Sequence, residues 1–156
     1  MLRINKLADY AVLILNCLSI HFGKRLSAKE VAKVTYISLP TVSKILKILL
    51  DAKLVLSTRG AIGGYSLALL PNKITLAQII TAMEGQPALT ECSLSKKRCA
   101  QDTTCAVKHN WKTINQFILN TLENITLADM SHSFNSEDLI LKFTQHDQCR
   151  RTNVTI

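Results

Sequence analysis

Three cysteines, Cys92, Cys99 and Cys105, fall within fourteen residues. Six residues separate the first two and five the next two, so neither gap is the Cys-x-x-Cys knuckle of a zinc ribbon or a dithiol oxidoreductase. Wider spacing lets a loop wrap something larger than one ion. Three soft thiolates suit an iron–sulfur cluster, which takes four protein ligands unless one position is open or filled by a small molecule. Three thiolates and a carboxylate on a cluster core of about +2 leave roughly −2 at the site. Lys96, Lys97 and Arg98 lie between two of the cysteines and are placed to offset that charge, or they form a solvated surface turn. On spacing alone, zinc and cluster-free sensor thiols stay open beside the cluster. Cys17 lies in an apolar stretch and reads as a small buried hydrophobe; Cys149 lies in a polar tail and reads as incidental. Five cysteines are an odd count, which argues against a disulfide framework and fits a cytoplasmic chain with reduced thiols.

Such a site needs a body to act on, and the charge says what kind. The net charge is +8 over 156 residues. Residues 1–73 hold eleven Lys and Arg against three acids, Asp9, Glu30 and Asp51, while the remainder is balanced at eight of each. All the excess positive charge is thus in one half, which points to a polyanion partner or, at its plainest, to a solubilising surface. Hydrophobic content of 47% with 19% charged residues fits a globular chain, and 5% aromatics with few Gly and Pro argue against a sandwich or barrel. No apolar run reaches the length of a membrane span, and the opening residues match neither a signal nor a transit peptide.

The periodicity predicts mainly helix. Leu7, Ala11, Ile14 and Leu18 set a first helix over about 4–22, ended by Gly23. Ser27 and Glu30 form a capping box that opens a second helix. After a break at 35–38, a third runs from about Leu39 to Ala52, with Pro40 in its first turn and Val42, Ile45, Leu46 and Leu49 as its apolar stripe. Residues 54–57 and 65–69 read as two strands joined by a basic, Gly-rich turn. Thr75 caps a helix through Met83. A long helix from about Val107 to Asn124 carries, with Ile125 just past it, Trp111, Ile114, Phe117, Ile118 and Leu122, a stripe assigned to a homodimer interface, with intradomain core as its plainer reading. The expected divisions are 1–86, 87–106, 107–130 and a polar, poorly ordered tail at 131–156, in which 136–145 could form a short helix.

Two short helices, a tight break and a hairpin with a basic tip make a winged helix-turn-helix. The third helix buries one face and presents Pro40, Ser43, Lys44 and Lys47 outward, with Thr41 at its N-terminal flank, as a major-groove reader requires. Lys44 and Lys47 read as phosphate clamps. Arg59 on the wing suits a minor groove, and Gly60, Gly63 and Gly64, followed by Tyr65, allow close approach to a duplex. An enzyme is disfavoured, since no Gly-rich phosphate loop follows a strand and no acid/base pair stands out. An iron–sulfur carrier or electron-transfer protein would need neither Arg59 nor the basic helix.

Several segments, in order, resemble one family: LRINKLADYAV, LPTVSKILKIL, RGAIGGYSL, LTECSL and CAVKHNWKTIN. Together they resemble the iron–sulfur winged-helix transcriptional regulators of the IscR and NsrR type, nearest in pattern to the SUF-system regulator of cluster assembly. The resemblance covers about residues 1–130. It implies a winged-helix domain with a long dimerisation helix, operator DNA as partner, and an iron–sulfur cluster, 2Fe–2S or 4Fe–4S, on Cys92, Cys99 and Cys105. The fourth ligand departs from the pattern. IscR-type members place a His three residues after the last Cys; here that residue is Lys108, with His109 next. NsrR-type members use an acidic residue near the start of helix one from the other subunit, and Asp9 matches that position. The first Cys gap is also one residue longer than the family's usual five.

Overall fold

The computed structural model describes residues 4–60, 62–90, 93, 104–133, 135 and 137. Cys92, Cys99, the 96–98 cations, Cys149 and almost all of the expected tail lie outside them. The described elements are α1 (Lys6–Ile20), α2 (Ala28–Thr35), α3 (Leu39–Asp51), β1 (Val55–Thr58), β2 (Gly64–Leu67), a 3-10 turn (Pro71–Lys73), α4 (Leu76–Glu84), α5 (Lys108–Asn124) and α6 (Leu127–Met130).

Three helix starts in the first body carry a side-chain cap. Asn5 caps α1 by accepting from the Leu7 N–H at 3.2 Å, and its own N–H donates to Glu84 Oε1 at 2.6 Å, tying α1 to the end of α4. Ser27 and Glu30 form the expected capping box on α2. Thr75 and Gln78 form another on α4. The core gathers Ile14, Leu15 and Leu18 of α1, Val31 of α2, the four stripe residues of α3, and Val55, Ile74, Ile79 and Leu127. The four α3 residues are all fully buried, so the periodicity gave the inward face of that helix correctly.

β1 and β2 pair antiparallel from Val55↔Leu67 to Thr58↔Gly64. Leu26, between α1 and α2, adds an antiparallel bridge to Tyr65, with N–H···O distances of 3.0 and 2.8 Å. The hairpin is thereby stitched to the helical body, a link that a single bridging residue does not announce in sequence.

The 107–130 division holds two helices, the first ending where the periodicity places it. α5 stops at Asn124, and Ile125 turns to extended backbone at φ −90°, ψ 123°. Thr126 and Asp129 then form a third capping box and start α6. Thr126 bridges Thr75, the Leu76 N–H donates to the Ile125 carbonyl, and the Leu127 N–H donates to that of Ile74, both at 2.8 Å. Leu127 is fully buried in the winged-helix core, and Ser131 donates to Asn16 Oδ1 at 2.7 Å. The chain beyond α5 therefore returns to the first body. Among the described residues no helix is long and apolar enough to cross a membrane.

Candidate nucleic-acid interface and cysteine segment

Burial of Val42, Ile45, Leu46 and Leu49 fixes the rotation of α3, so its opposite face is set by default. Pro40, Ser43, Lys44 and Lys47 are exposed there, and Thr41 is half-buried at its edge. Ser38 starts the helix but makes no side-chain cap; its hydroxyl instead pairs with Thr41 Oγ1 at 2.8 Å. The first-turn amides of α3 are left without a capping side chain beside two lysines, which favours an anion at that end.

The wing supplies the second contact. Arg59 is exposed at its tip. The glycines, read in sequence as room for DNA, serve the wing itself. Gly60 has φ +117°, and its carbonyl accepts from the Gly63 N–H at 2.9 Å. A Cβ at Gly63 would strike the Thr58 carbonyl oxygen and lie 2.8 Å from that of Gly60; one at Gly64 would lie 2.8 Å from the Leu26 carbonyl. Tyr65 is half-buried, packs on the core and bridges Leu26 through its backbone, which anchors the hairpin. The break at 35–38 held a residue that the sequence reading passed over. Tyr36 is 95% exposed in a left-handed conformation, and its signal was a tyrosine where helix ends favour glycine.

Of the candidate ligands, Cys105 is a half-buried thiol, its carbonyl accepting from the Lys108 N–H at 3.3 Å as α5 begins. Asp9 is exposed on the first turn of α1, at the rim of a cleft of about 400 Å³ whose floor includes Ile4, Val12, Leu76 and Ile80. His109 is exposed on the first turn of α5. Among the described residues no three His, Cys, Asp or Glu side chains converge. The donor chemistry is what speaks for a cluster: a half-buried thiol at Cys105, two further thiols ahead of it, and a carboxylate available on α1. Cys17 is 4% exposed, and burial pushes its thiol pKa up, which makes it inert.

The apolar stripe of α5 divides. Trp111, Ile114 and Phe117 are exposed at 40%, 45% and 68%. Ile118 and Leu122 instead line a groove against Ile80 of α4 and Leu89. Ile125 is 8% exposed inside the protomer, so it is not part of an outward face. Asn115, also in that groove, is buried and accepts from the Leu89 N–H at 2.9 Å, pinning the stem of the cysteine segment to α5.

A family model described as Rrf2, iron-dependent transcriptional regulator, matches residues 4–133. The chain belongs to the Rrf2 family. A helix-turn-helix-type transcriptional regulator of Aquifex aeolicus is 30% identical over 78% of this chain and 85% of its own length. IscR of Serratia proteamaculans is 27% identical over 97% and 91%. The structure is similar to CymR, the global cysteine regulator of B. subtilis, with TM-score 0.69 and 30% identity over 84% of this chain and 97% of that one. It is similar to T. potens IscR with TM-score 0.63 and 32% identity over 83% and 85%. The Rrf2 chain is thus a winged-helix transcriptional regulator that binds DNA, and the enzyme reading falls away.

Proposed function

We propose that this Rrf2 protein is a homodimeric, cytoplasmic repressor that reports iron–sulfur or redox status to operator DNA, with genes of cluster assembly as its target. α3 enters the major groove through Ser43, Lys44 and Lys47, with Pro40 and Thr41 at its leading end, and Arg59 reaches the minor groove. Cys92, Cys99 and Cys105 would hold a 2Fe–2S or 4Fe–4S cluster, with Asp9 as fourth ligand and His109 as the alternative. Bound there, the group would supply an oxidant-sensitive set of iron–thiolate bonds. The observation that carries the reading is the place of the three-cysteine segment. It joins α4, which packs on α3, to α5, which bears the exposed apolar stripe. Asp9 sits on α1, which also packs on α3. Held to the cysteine segment, Asp9 would fix the reading heads; released, it would let their spacing change.

The test is anaerobic purification with iron and sulfide analysis, Mössbauer spectra, and DNA titration of holo and apo protein. Iron and sulfide with a cluster-dependent affinity are expected. Asp9→Ala should remove that dependence while leaving the apo protein folded. Material that holds neither element and binds DNA equally before and after reconstitution overturns the proposal.

A second reading, a zinc-bound or thiol-sensing regulator, is favoured by Lys108 where IscR-type members carry His and by the six-residue first gap. Colourless anaerobic protein whose DNA affinity follows thiol oxidation would select it.

A further inference from the structure

Tyr36 closes α2 at φ 56°, ψ 24°, the left-handed region, with 95% of its surface exposed. The turn into α3 needs that reversal, and glycine or asparagine gives it at least cost. A tyrosine there meets the Cβ penalty and leaves a whole ring in water. Among the described residues its ring and hydroxyl make no hydrogen bond or cation–π contact. Lys53, after α3, adopts the same conformation, but its cationic chain belongs in water. Two local terms therefore argue against Tyr36, and such an outlier points to function.

Its surroundings say which. The buried Ile37 next to it fixes the turn, and Ser38 follows at the uncapped start of α3. Lys33, Lys44 and Lys47 are exposed on the two helices it joins. The carboxylate of α2, Glu30, lies in its first turn, at the other end from Tyr36, and is engaged by Ser27 at 2.7 Å. When the second helix of such a pair enters the major groove, the first crosses the sugar–phosphate backbone. The turn between them then lies over that backbone.

We propose that Tyr36 is a DNA-contact residue: its hydroxyl donates to a phosphate oxygen and its ring lies against the sugar, so it strengthens binding to every duplex and reads no sequence.

The experiment titrates the full chain with a duplex it selects from a random-sequence pool and with poly(dA·dT). Tyr36→Gly should weaken both by the same factor, about tenfold. Tyr36→Phe should lose part of that. Both should keep the slope of log affinity on log salt, since tyrosine is neutral, whereas Lys44→Ala should lower it. Tyr36→Gly should melt no lower than the unaltered protein, because glycine holds the left-handed backbone without the Cβ penalty. Unchanged affinity in Tyr36→Gly overturns the proposal, as does a loss confined to the selected duplex. So does a fall in melting temperature that accounts for the lost binding, which makes the ring structural. Unaltered DNA binding with lost repression in a purified transcription assay also overturns it, assigning the ring to a protein partner.

Discussion

At Gly64 the limit is space. A Cβ would lie 2.8 Å from the Leu26 carbonyl carbon and oxygen and 3.1 Å from the Ser27 N, backbone that cannot step aside without breaking the Leu26–Tyr65 bridge. Gly64→Ala should therefore destabilise the protein by about 1–3 kcal/mol, read as a lower melting temperature, and should weaken DNA binding through a displaced wing. Gly23→Ala is the control, since nothing lies within 4 Å of a Cβ there and only its φ of +85° opposes the change. At Glu30 the limit is charge. Hydrogen bonds from the Ser27 hydroxyl and backbone hold its carboxyl below the ordinary 4.5. A depressed folded-state pKa stabilises above the unfolded value, and the contribution is lost as pH falls through the folded one. Glu30→Gln should be less stable than the unaltered protein at pH 7, and in urea unfolding the gap should shrink as pH falls below 4.5 and close once the Glu30 carboxyl is protonated in the folded protein.

Among the elements, α2 to α4 were legible because each couples a helical apolar period to a recognisable start, Ser27, Pro40 and Thr75, and α1 because its apolar period runs on to a stop at Gly23. The return of α6 to the core was not, because Ile125 keeps the helical spacing of Ile118 and Leu122 past the end of α5. Its signal was local, Thr126-x-x-Asp129, a capping box that the apolar stripe masked. The outward and inward parts of that stripe were inseparable for the same reason: periodicity names a face, not what covers it. The cysteines were legible by type and spacing, but their arrangement depends on how a loop without a repeating pattern folds. Reassigning α6 has a measurable consequence. Leu127 is fully buried on a helix that packs on α1 and the Pro71–Lys73 turn, so Leu127→Ala should cost about 2–5 kcal/mol in chemical unfolding. A polar, outward α6 would instead tolerate the change within about 0.5 kcal/mol.

For the whole molecule, stability and assembly reside in different surfaces. The core of α1 to α4 and α6 closes within one protomer, whereas Trp111, Ile114 and Phe117 stand in water on α5. Charge is divided along the same line, with the net +8 confined to residues 1–73. A dimer joined through α5 would carry two basic heads on one duplex, doubling the phosphates it neutralises. Phe117, at 68% exposed, has little core to lose, so Phe117→Glu should leave the protomer's melting temperature within a few degrees of the unaltered value. It should shift sedimentation from dimer to monomer, because a carboxylate cannot be buried unpaired in an apolar contact. On a duplex with two half-sites, the slope of log affinity on log salt should then fall to about half, as each complex releases half the counterions. On a duplex with one half-site the variant and the unaltered protein should bind alike. A variant that sediments as a dimer, or that keeps the full salt slope as a monomer, would remove α5 from the assembly and leave its exposed stripe to another partner.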